Sequence, residues 1–232
     1  MWHTGRMSAS GVRARVRAEM TEEIKTVARR HLATDGANLS LRAVARDMGM
    51  ASSAVYRYFA SRDELLTAMI IDAYDAVGAA AERAEKGVEG YPDRLVAVGH
   101  GVRDWALADP HRWALIYGSP VPGYQAPQDT VGPATRVIFQ IAGIMRDAYT
   151  AGRIAERDPI TGRYADELAA VAEQFGPGIP PRLVGAAIAA FIQLCGAVSA
   201  ELFGQLNNSI DDDRRGFFEF QMRGAADFIG LR

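Results

Sequence analysis

Residues 40–62 constrain the fold of this chain more than any other stretch. Before Gly49, apolar residues recur at helical spacing, and after it Val55 and Phe59 form a second apolar pair four residues apart. The apolar residues of the first segment are Leu41, Val44, Ala45 and Met48. Because a helix ends most easily on a residue that tolerates positive φ, Gly49 is expected to end the first helix. The stretch therefore predicts a helix, a tight turn and a second, short helix.

The outward positions of the second helix carry groups that suit nucleic acid. They are hydroxyls, phenols and a guanidinium rather than carboxylates: Ser52, Ser53, Tyr56, Arg57 and Tyr58. Such groups can bond base edges and phosphates without charge repulsion. A helix-turn-helix that inserts its second helix into a DNA major groove fits this arrangement. The alternatives are a surface helix start for the two serines and packing inside a small domain for Tyr56.

Residues 24–66 resemble the DNA-binding domain of the tetracycline-repressor (TetR) family. The most diagnostic piece is V-Y-R-Y-F, followed by S-R-D-E-L, at residues 55–59 and 61–65. Two positions depart from the pattern: Ala51 stands where the family usually has a Ser or Thr cap, and Tyr58 stands where His is common. Loss of the cap costs about 1 kcal/mol of local helix stability, and the recognition helix is expected to start at Ser52.

Eight residues are predicted to contact DNA. Those assigned to base edges or sugars are Ser52, Ser53, Tyr56 and Arg57, and those assigned to phosphates are Ser40, Arg42, Tyr58 and Arg62. Ser61 and Glu64 have the spacing of a capping box that starts the next helix. In the family this helix end abuts the DNA backbone, which supports a phosphate role for Arg62.

The charge of the chain is unevenly distributed. Residues 1–62 contain eleven Lys or Arg and five acids, whereas the remainder contains fifteen basic and 23 acidic residues. A basic first quarter joined to an acidic remainder indicates that polyanion binding belongs to the first part. A chance charge run on a solvated face is the alternative when the charge is considered alone.

Helical periodicity, punctuated by Pro and Gly, continues to the C-terminus and predicts an all-α protein. We expect a flexible basic arm over residues 1–16, a three-helix helix-turn-helix DNA-binding domain over 17–62, and a larger helical ligand-binding and dimerisation domain over 63–232. The first helix is expected to begin at about Arg17 and to end at Gly36. Four arginines of the arm region can reach phosphates, an ordinary disordered terminus being the alternative: Arg6, Arg13, Arg15 and Arg17.

Residues 111–124 and 194–204 are similar to a TetR subgroup with a WHG-type C-terminal regulatory domain. Cys195 occupies the position at which the subgroup commonly has His, so this chain lacks the imidazole that the subgroup has there. The resemblance implies a small, largely apolar effector that enters among the helices. The predicted ligand residues are His100, Trp105, Trp113, Tyr117, Phe139, Phe175, Phe191 and Cys195. Ordinary core packing without a cavity is the alternative.

The C-terminal helices are predicted to form a dimer interface. Small residues recur over 182–204 and permit close helix approach. The triplet at 211–213 reads as a capped acidic helix start, and a metal site is its alternative. Two facing helices per chain would give a four-helix dimer interface, as is usual in the family. In the long helix predicted over 131–151, the residues expected to face the core are Val137, Ile138, Ile141, Ile144, Met145 and Tyr149. The apolar residues that follow the acidic triplet are Phe217, Phe220, Ala225, Phe228 and Ile229.

Other classes of function have less support. The sequence contains no phosphate loop, dinucleotide glycine pattern or nucleophile elbow, and its four histidines lack metal spacing, so we expect no enzyme activity, no cofactor and no metal. The single cysteine favours a reduced cytoplasmic setting. No signal peptide is visible, and the uncharged stretch 183–200 is a better buried interface helix than a membrane span.

The favoured function is a transcription regulator, and the resemblance implies a repressor, the kind that prevails in the family. It would bind an inverted-repeat double-stranded DNA operator as a homodimer and be released by the effector. One rival keeps the DNA-binding dimer but treats the C-terminal domain only as an assembly module. A second, weaker rival is an all-helical enzyme.

Overall fold

The computed structural model describes residues 9–35 and 39–232. In these ranges the chain forms ten α-helices, a short 3-10 helix and one isolated β-bridge, which confirms the all-α prediction. The helices are α1 Ala9–Asp35, α2 Leu41–Asp47, α3 Ser52–Val55, α4 Arg62–Glu85, α5 Tyr91–Ala108, α6 Pro110–Tyr117, α7 Val131–Thr150, α8 Arg163–Ala172, α9 Pro181–Leu202 and α10 Arg214–Ile229.

Contacts within the chain divide it into two compact units. Unit 1 comprises the chain up to Ile70 together with Pro120–Pro127, and unit 2 comprises Ile71–Ser119 and Gln128–Arg232. Helix α4 begins in unit 1 and ends in unit 2. The domain boundaries predicted at residues 16 and 62 stay a prediction.

Gly49 sets the turn between α2 and α3 in unit 1. Its φ is +64°, a left-handed conformation that glycine adopts without strain. The N–H of Gly49 donates to the carbonyl of Arg46 at 3.0 Å, and the N–H of Met50 donates to that of Ala45 at 2.9 Å. These two bonds are a Schellman motif, which satisfies carbonyls at the end of α2 and reverses the chain toward α3.

A shared apolar core holds the helices of unit 1. Val55 and Phe59 are buried, as are the inward residues of α1, α2 and the start of α4. These are Ile24, Val27, Ala28, Leu41, Val44, Ala45, Leu65, Leu66 and Met69. Helix α3 begins at Ser52, as expected, and Ala51 supplies no side-chain cap. One half of the predicted capping box is present, since Ser61 Oγ accepts from the N–H of Glu64 at 3.1 Å. Glu64 Oε2 accepts from the N–H of Ala60 at 2.6 Å instead of that of Ser61.

Helix α1 is longer than the sequence predicted. It begins at Ala9, so the expected helix start near Arg17 is wrong, and residues 9–16 of the predicted arm are helical. The segment contains no proline, and its arginines and alanines are good helix formers, so it can continue the helix that packs further along α1. Residues 1–8 and the predicted helix end at Gly36 lie outside the described residues.

Helix α9 is central to unit 2, where it packs against α5, α6, α7, α8 and α10. Within the described part of the chain it is the one helix that is long and apolar enough to cross a membrane by length and composition. Its packing against five neighbours accounts for that apolarity. Nine of its residues are buried, and alanines predominate among them, so the neighbouring helices approach closely.

A buried ion pair that no sequence pattern indicated joins α5 to α9. Arg103 Nε and Nη2 donate to the two carboxylate oxygens of Glu201 at 2.7 and 2.6 Å. Both side chains are less than 10% exposed, at 8% and 7%. The guanidinium also lies 5.8 Å from the ring centre of Phe218 on α10. A bidentate geometry offsets the cost of burying both charges and fixes the register of three helices.

Tyr149 was expected to face the core but is 38% exposed, so that prediction is wrong. Phe220 and Phe228 of α10 are also exposed, at 71% and 57%. In α10 the buried residues are Phe218, Met222, Ala225, Ala226 and Ile229. Phe218 and Phe220 are about 200° apart around the helix axis, so only one of them can follow the buried face. The predicted capped start of α10 is confirmed, because Asp213 Oδ1 accepts from the N–H of Gly216 at 2.8 Å.

The ion pair gives a test of unit 2. Glu201→Ala leaves the guanidinium of Arg103 buried without its carboxylate, so we expect the free energy of unfolding to fall by about 3–5 kcal/mol. Urea denaturation at fixed protein concentration measures the loss. Glu167→Ala is the control, because its pair with Arg163 is solvated, and it should change the free energy of unfolding little. Equal losses in both variants would contradict a special role for the buried pair.

Candidate nucleic-acid interface and cavities

The exposed side of α3 and of the turn after it is the candidate surface for DNA. Helical hydrogen bonding continues past Val55, because the N–H of Phe59 donates to the carbonyl of Val55 at 3.1 Å. With Val55 and Phe59 buried, the side chains of Ser53, Tyr56 and Arg57 lie in solvent. Tyr56 is 44% exposed, which disfavours packing inside unit 1 as its main role. The surface combines a hydroxyl, a phenol and a guanidinium, all able to bond base edges.

The residues predicted for phosphates flank this surface. Ser40 and Arg42 are exposed at the start of α2, and the hydroxyl of Ser40 makes no cap hydrogen bond. At the start of α4, the Arg62 side chain is 31% exposed and its Nη1 lies 3.4 Å from Asp63 Oδ1. The neighbouring carboxylate offsets part of the positive charge that was expected there. Ser52, Tyr58 and Arg62 are partly buried, so they present less surface than the other predicted contacts.

Arg17 is a residue of this surface that the sequence did not single out from its neighbours. Its Nη2 donates to the carbonyl of Arg57 at 3.2 Å. Its guanidinium also lies 5.1 Å from the ring centre of Tyr58. The sequence separation is forty residues, so no local pattern could have revealed the contact.

Two neighbouring cavities lie in unit 2. The inner one has a volume of about 210 Å³ and lies among α7, the end of α8 and α9. Its lining is almost entirely apolar, with Thr135 and Gln174 as the polar residues. The apolar lining consists of Ile138, Phe139, Ala142, Met145, Val171, Phe175, Val184, Ala187 and Ile188. An apolar ring or chain is the kind of group that such a space admits.

The outer cavity is larger, about 440 Å³, and more polar. It shares Phe139, Ala142, Gln174 and Phe175 with the inner one. The rings of Phe139 and Phe175 meet edge to face with centres 5.5 Å apart, at the place that both cavities share. In the outer cavity Arg94 bridges two carboxylates, those of Glu85 at 2.6 Å and Asp147 at 3.0 Å. Gln140 Nε2 also donates to Glu85.

The eight predicted ligand residues are not all at these cavities. Only Phe139 and Phe175 line them. Trp113, Tyr117 and Phe191 form a separate aromatic cluster, with ring centres 4.4 and 6.2 Å apart, and Cys195 lies beside it. The other two are elsewhere on α5: Trp105 lies under the Arg112 guanidinium at 5.4 Å, and His100 lies 5.5 Å from the Phe218 ring. The predicted aromatic residues are thus distributed over unit 2 and do not line a single cavity.

Burial changes the chemistry of two of these residues. It raises the pKa of the Cys195 thiol to about 12, so the thiol stays protonated at neutral pH and is a poor nucleophile. The pKa of His100 is lowered, chiefly by burial and then by the positive charge of Arg215. Both residues are therefore neutral near pH 7, which suits packing better than charge recognition.

A stronger signal for the cavity was present in α8. Leu168, Val171 and Ala172 of α8, together with Phe175 just after the helix, follow the three- and four-residue spacing of one helical face. That face indicates where the helix packs, but the size of the gap beneath it depends on the side chains of α7 and α9. Apart from Phe139, sequence reasoning missed the cavity residues of those helices for this reason.

Comparison with known proteins agrees with this architecture. The family model described as bacterial regulatory proteins of the tetR family matches residues 24–69, and the one described as the tetracyclin repressor-like C-terminal domain matches residues 95–225. The HTH-type transcriptional regulator Rv1816 of Mycobacterium tuberculosis is 38% identical over 218 residues, which cover 92% of this chain and 93% of that protein.

Solved structures show the same fold. The crystal structure of the regulatory protein SCO4313 has a TM-score of 0.76 at 32% identity and covers 92% of this chain and 98% of that chain. RolR, solved in complex with resorcinol, has a TM-score of 0.52 at 18% identity, and the match covers 93% of this chain and 94% of the RolR chain. At that identity the likeness shows the fold alone. The chain thus belongs to the TetR family of transcriptional regulators, whose members bind DNA and small-molecule ligands.

Proposed function

We propose that this regulator binds an inverted-repeat operator as a homodimer and acts as a repressor that a small, largely apolar effector releases. The observation that carries the DNA-binding part is the exposed Ser53, Tyr56 and Arg57 side of α3, directly opposite the buried Val55 and Phe59. Two copies related by a two-fold axis would place their reading helices about 34 Å apart, one turn of DNA. The proposed function requires no cofactor and no catalytic group. It implies a cytoplasmic location.

The assignment of individual contacts follows from position. Ser52, Ser53, Tyr56 and Arg57 lie on α3 and its following turn, so they are proposed to read base edges or sugars. Ser40, Arg42, Tyr58 and Arg62 lie at helix ends around that surface and are proposed to bind phosphates. Phosphate contacts set affinity and its salt dependence, whereas base contacts set sequence preference.

An exposed apolar stripe along α9 and α10 supports the homodimer. On α9 it includes Ile192, which is 64% exposed, and Phe203 just after the helix is 52% exposed. On α10 it includes Phe220 and Phe228, at 71% and 57%. Gln193 of α9 donates to the carbonyl of Gln221 of α10 at 2.9 Å, which joins the two helices. Large apolar side chains on neighbouring helices suit burial against a second copy of the same face.

The inner cavity supports an effector site. An apolar space of about 210 Å³ between helices gains contacts when an apolar group fills it, so such an occupant would stabilise unit 2. The adjoining outer cavity offers amide and carboxylate groups to a polar end of the same molecule. RolR holds the small aromatic resorcinol on the same fold, which makes a compact ring a reasonable first probe.

Helix α4 is the proposed link between effector and DNA. Its last residue, Glu85, lines the outer cavity, and its first, Arg62, is a proposed phosphate contact. A ligand that prefers one position of this continuous helix would bias the spacing of the two reading helices. Coupling between two such sites typically amounts to about 1–3 kcal/mol.

The DNA surface is tested by a pair of arginine variants. Selection of bound duplexes from a random pool supplies the operator for wild-type protein. On that duplex, Arg42→Ala should weaken binding to all sequences and make the salt dependence shallower by about 0.9 per lost phosphate contact. Arg57→Ala should cost about 1–3 kcal/mol and relax the preferred sequence.

Arg83→Ala is the matched control for both variants, because Arg83 is an exposed arginine near the far end of α4. It should leave both affinity and preference unchanged in an anisotropy titration. If wild-type protein selects no sequence from the pool, the proposed function is wrong.

The dimer face is tested by placing a charge on it. Phe220→Glu puts a carboxylate where the second copy is expected, and burying it there is costly, so the protein should become monomeric and lose affinity for the inverted repeat. Analytical ultracentrifugation measures the mass. Val131→Glu is the control, since Val131 is 46% exposed on α7, and it should remain a dimer. A dimeric Phe220→Glu protein would exclude this face.

The cavity is tested with benzene as the probe. Benzene should raise the melting temperature of wild-type protein, with a stabilisation of about 2.7 kcal/mol once its concentration is 100 times the Kd. Ala187→Leu fills part of the inner cavity and should abolish the response. Ala170→Leu, at an exposed position of α8, should keep it.

The assembly-module rival makes the opposite prediction for the cavity. If the C-terminal region serves only to dimerise, no small molecule that stabilises unit 2 will also lower operator affinity. A screen of small aromatic and aliphatic compounds by thermal shift, followed by anisotropy with the selected duplex, separates the two. Ligands that do both would establish the regulator.

A further inference from the structure

The first part of α1 packs little against the rest of unit 1. Residues 12–19 are exposed at every position, and Ile24 is the first fully buried side chain of the helix. A short helix without tertiary packing is only marginally stable in water. The segment of residues 10–17, here called the α1 extension, thus presents its surface outward instead of completing the core of unit 1.

The α1 extension carries positive charge on a defined face. Arg13 and Arg17 are four residues apart, so their side chains project from the same side of the helix. Arg15 projects from a different side and lies 3.4 Å from the carboxylate of Glu19. The face with Arg13 and Arg17 contains no acid within the extension, so it can approach a polyanion without repulsion.

Arg17 fixes where this face lies. Its guanidinium donates to the carbonyl of Arg57 at 3.2 Å and lies over the ring of Tyr58. Both residues belong to the turn that follows α3, at the edge of the proposed DNA surface. Arg13 is one helical turn further along α1, about 6 Å from Arg17 along the axis. The cationic face therefore continues the proposed DNA surface beyond the end of α3.

We infer that the α1 extension is a second DNA-contact surface. Arg13 binds backbone phosphates that flank the base pairs read by α3, where each strand carries one charge per about 3.4 Å. Arg17 is a positioning residue: it holds the carbonyl end of the reading turn and the Tyr58 ring in place. The inference rests on the proposed DNA-binding function and adds a longer footprint to it.

Arg13→Ala tests the phosphate contact on full-length protein. The probe is a labelled 40-base-pair duplex that carries the sequence selected by wild-type protein. We expect the slope of log K against log salt to become shallower by about 0.9 per lost contact, or about 1.8 for a dimer, with the sequence preference unchanged. Arg13→Lys keeps the charge and should retain the wild-type slope.

Arg30→Ala is the matched control. Arg30 is another exposed arginine of α1, but it lies about 220° around the axis from Arg17. It should leave the slope unchanged. If Arg13→Ala keeps the wild-type slope, or if Arg30→Ala lowers it equally, the inference is wrong. If Arg13→Ala instead changes the oligomeric mass in ultracentrifugation, the face serves a second copy of the chain and the inference is again wrong.

Arg17→Ala tests the positioning role through a different readout. Random-pool selection with this variant should yield a preference that is altered at the base pairs nearest the end of α3, while circular dichroism stays like that of wild type. An unchanged preference would overturn the role of Arg17. Failure of the proposed function itself is distinguishable, because wild-type protein would then bind no duplex before any variant is examined.

Discussion

Burial of Val55 and Phe59 is the contact on which the DNA surface depends. Helix α3 has four residues and no side-chain cap at its start, so it cannot be stable by itself. Its conformation and direction come from the apolar core that these two side chains share with α1, α2 and α4. Because they point inward, Ser53, Tyr56 and Arg57 point outward. The residues that fix the interface are thus different from those that would touch DNA.

Unit 2 depends on two other features, the small residues of α9 and one buried ion pair. The alanines of α9 allow close packing with its neighbours, and Arg103 and Glu201 fix the register of that packing. Close packing is incomplete between α7, the end of α8 and α9, where Ala142, Ala187 and the rings of Phe139 and Phe175 line an apolar space. The neighbouring outer cavity is more polar.

Positive charge in unit 1 is arranged by tertiary contacts as well as by composition. The basic first quarter of the chain is visible in the sequence, but its arginines have different environments. Arg17 is held against the turn after α3, Arg15 is paired with Glu19, and Arg62 lies beside Asp63. Arginines with the same formal charge therefore differ in how strongly they can attract a polyanion. The arginines on the same face as α3 are the best placed for this.

The sequence by itself determined the all-α fold, the turn at Gly49, the capping box at Ser61 and the family, because these depend on local spacing and on residue types with strong backbone preferences. It also located the starts of α4, α9 and α10 to within a few residues. Only the tertiary structure decided that α1 extends to Ala9, that Phe220 and Phe228 face outward, that Arg103 pairs with Glu201, and that Phe139 and Phe175 adjoin a cavity. These features depend on which faces of distant helices meet, and helical periodicity fixes the faces of one helix without specifying their partners.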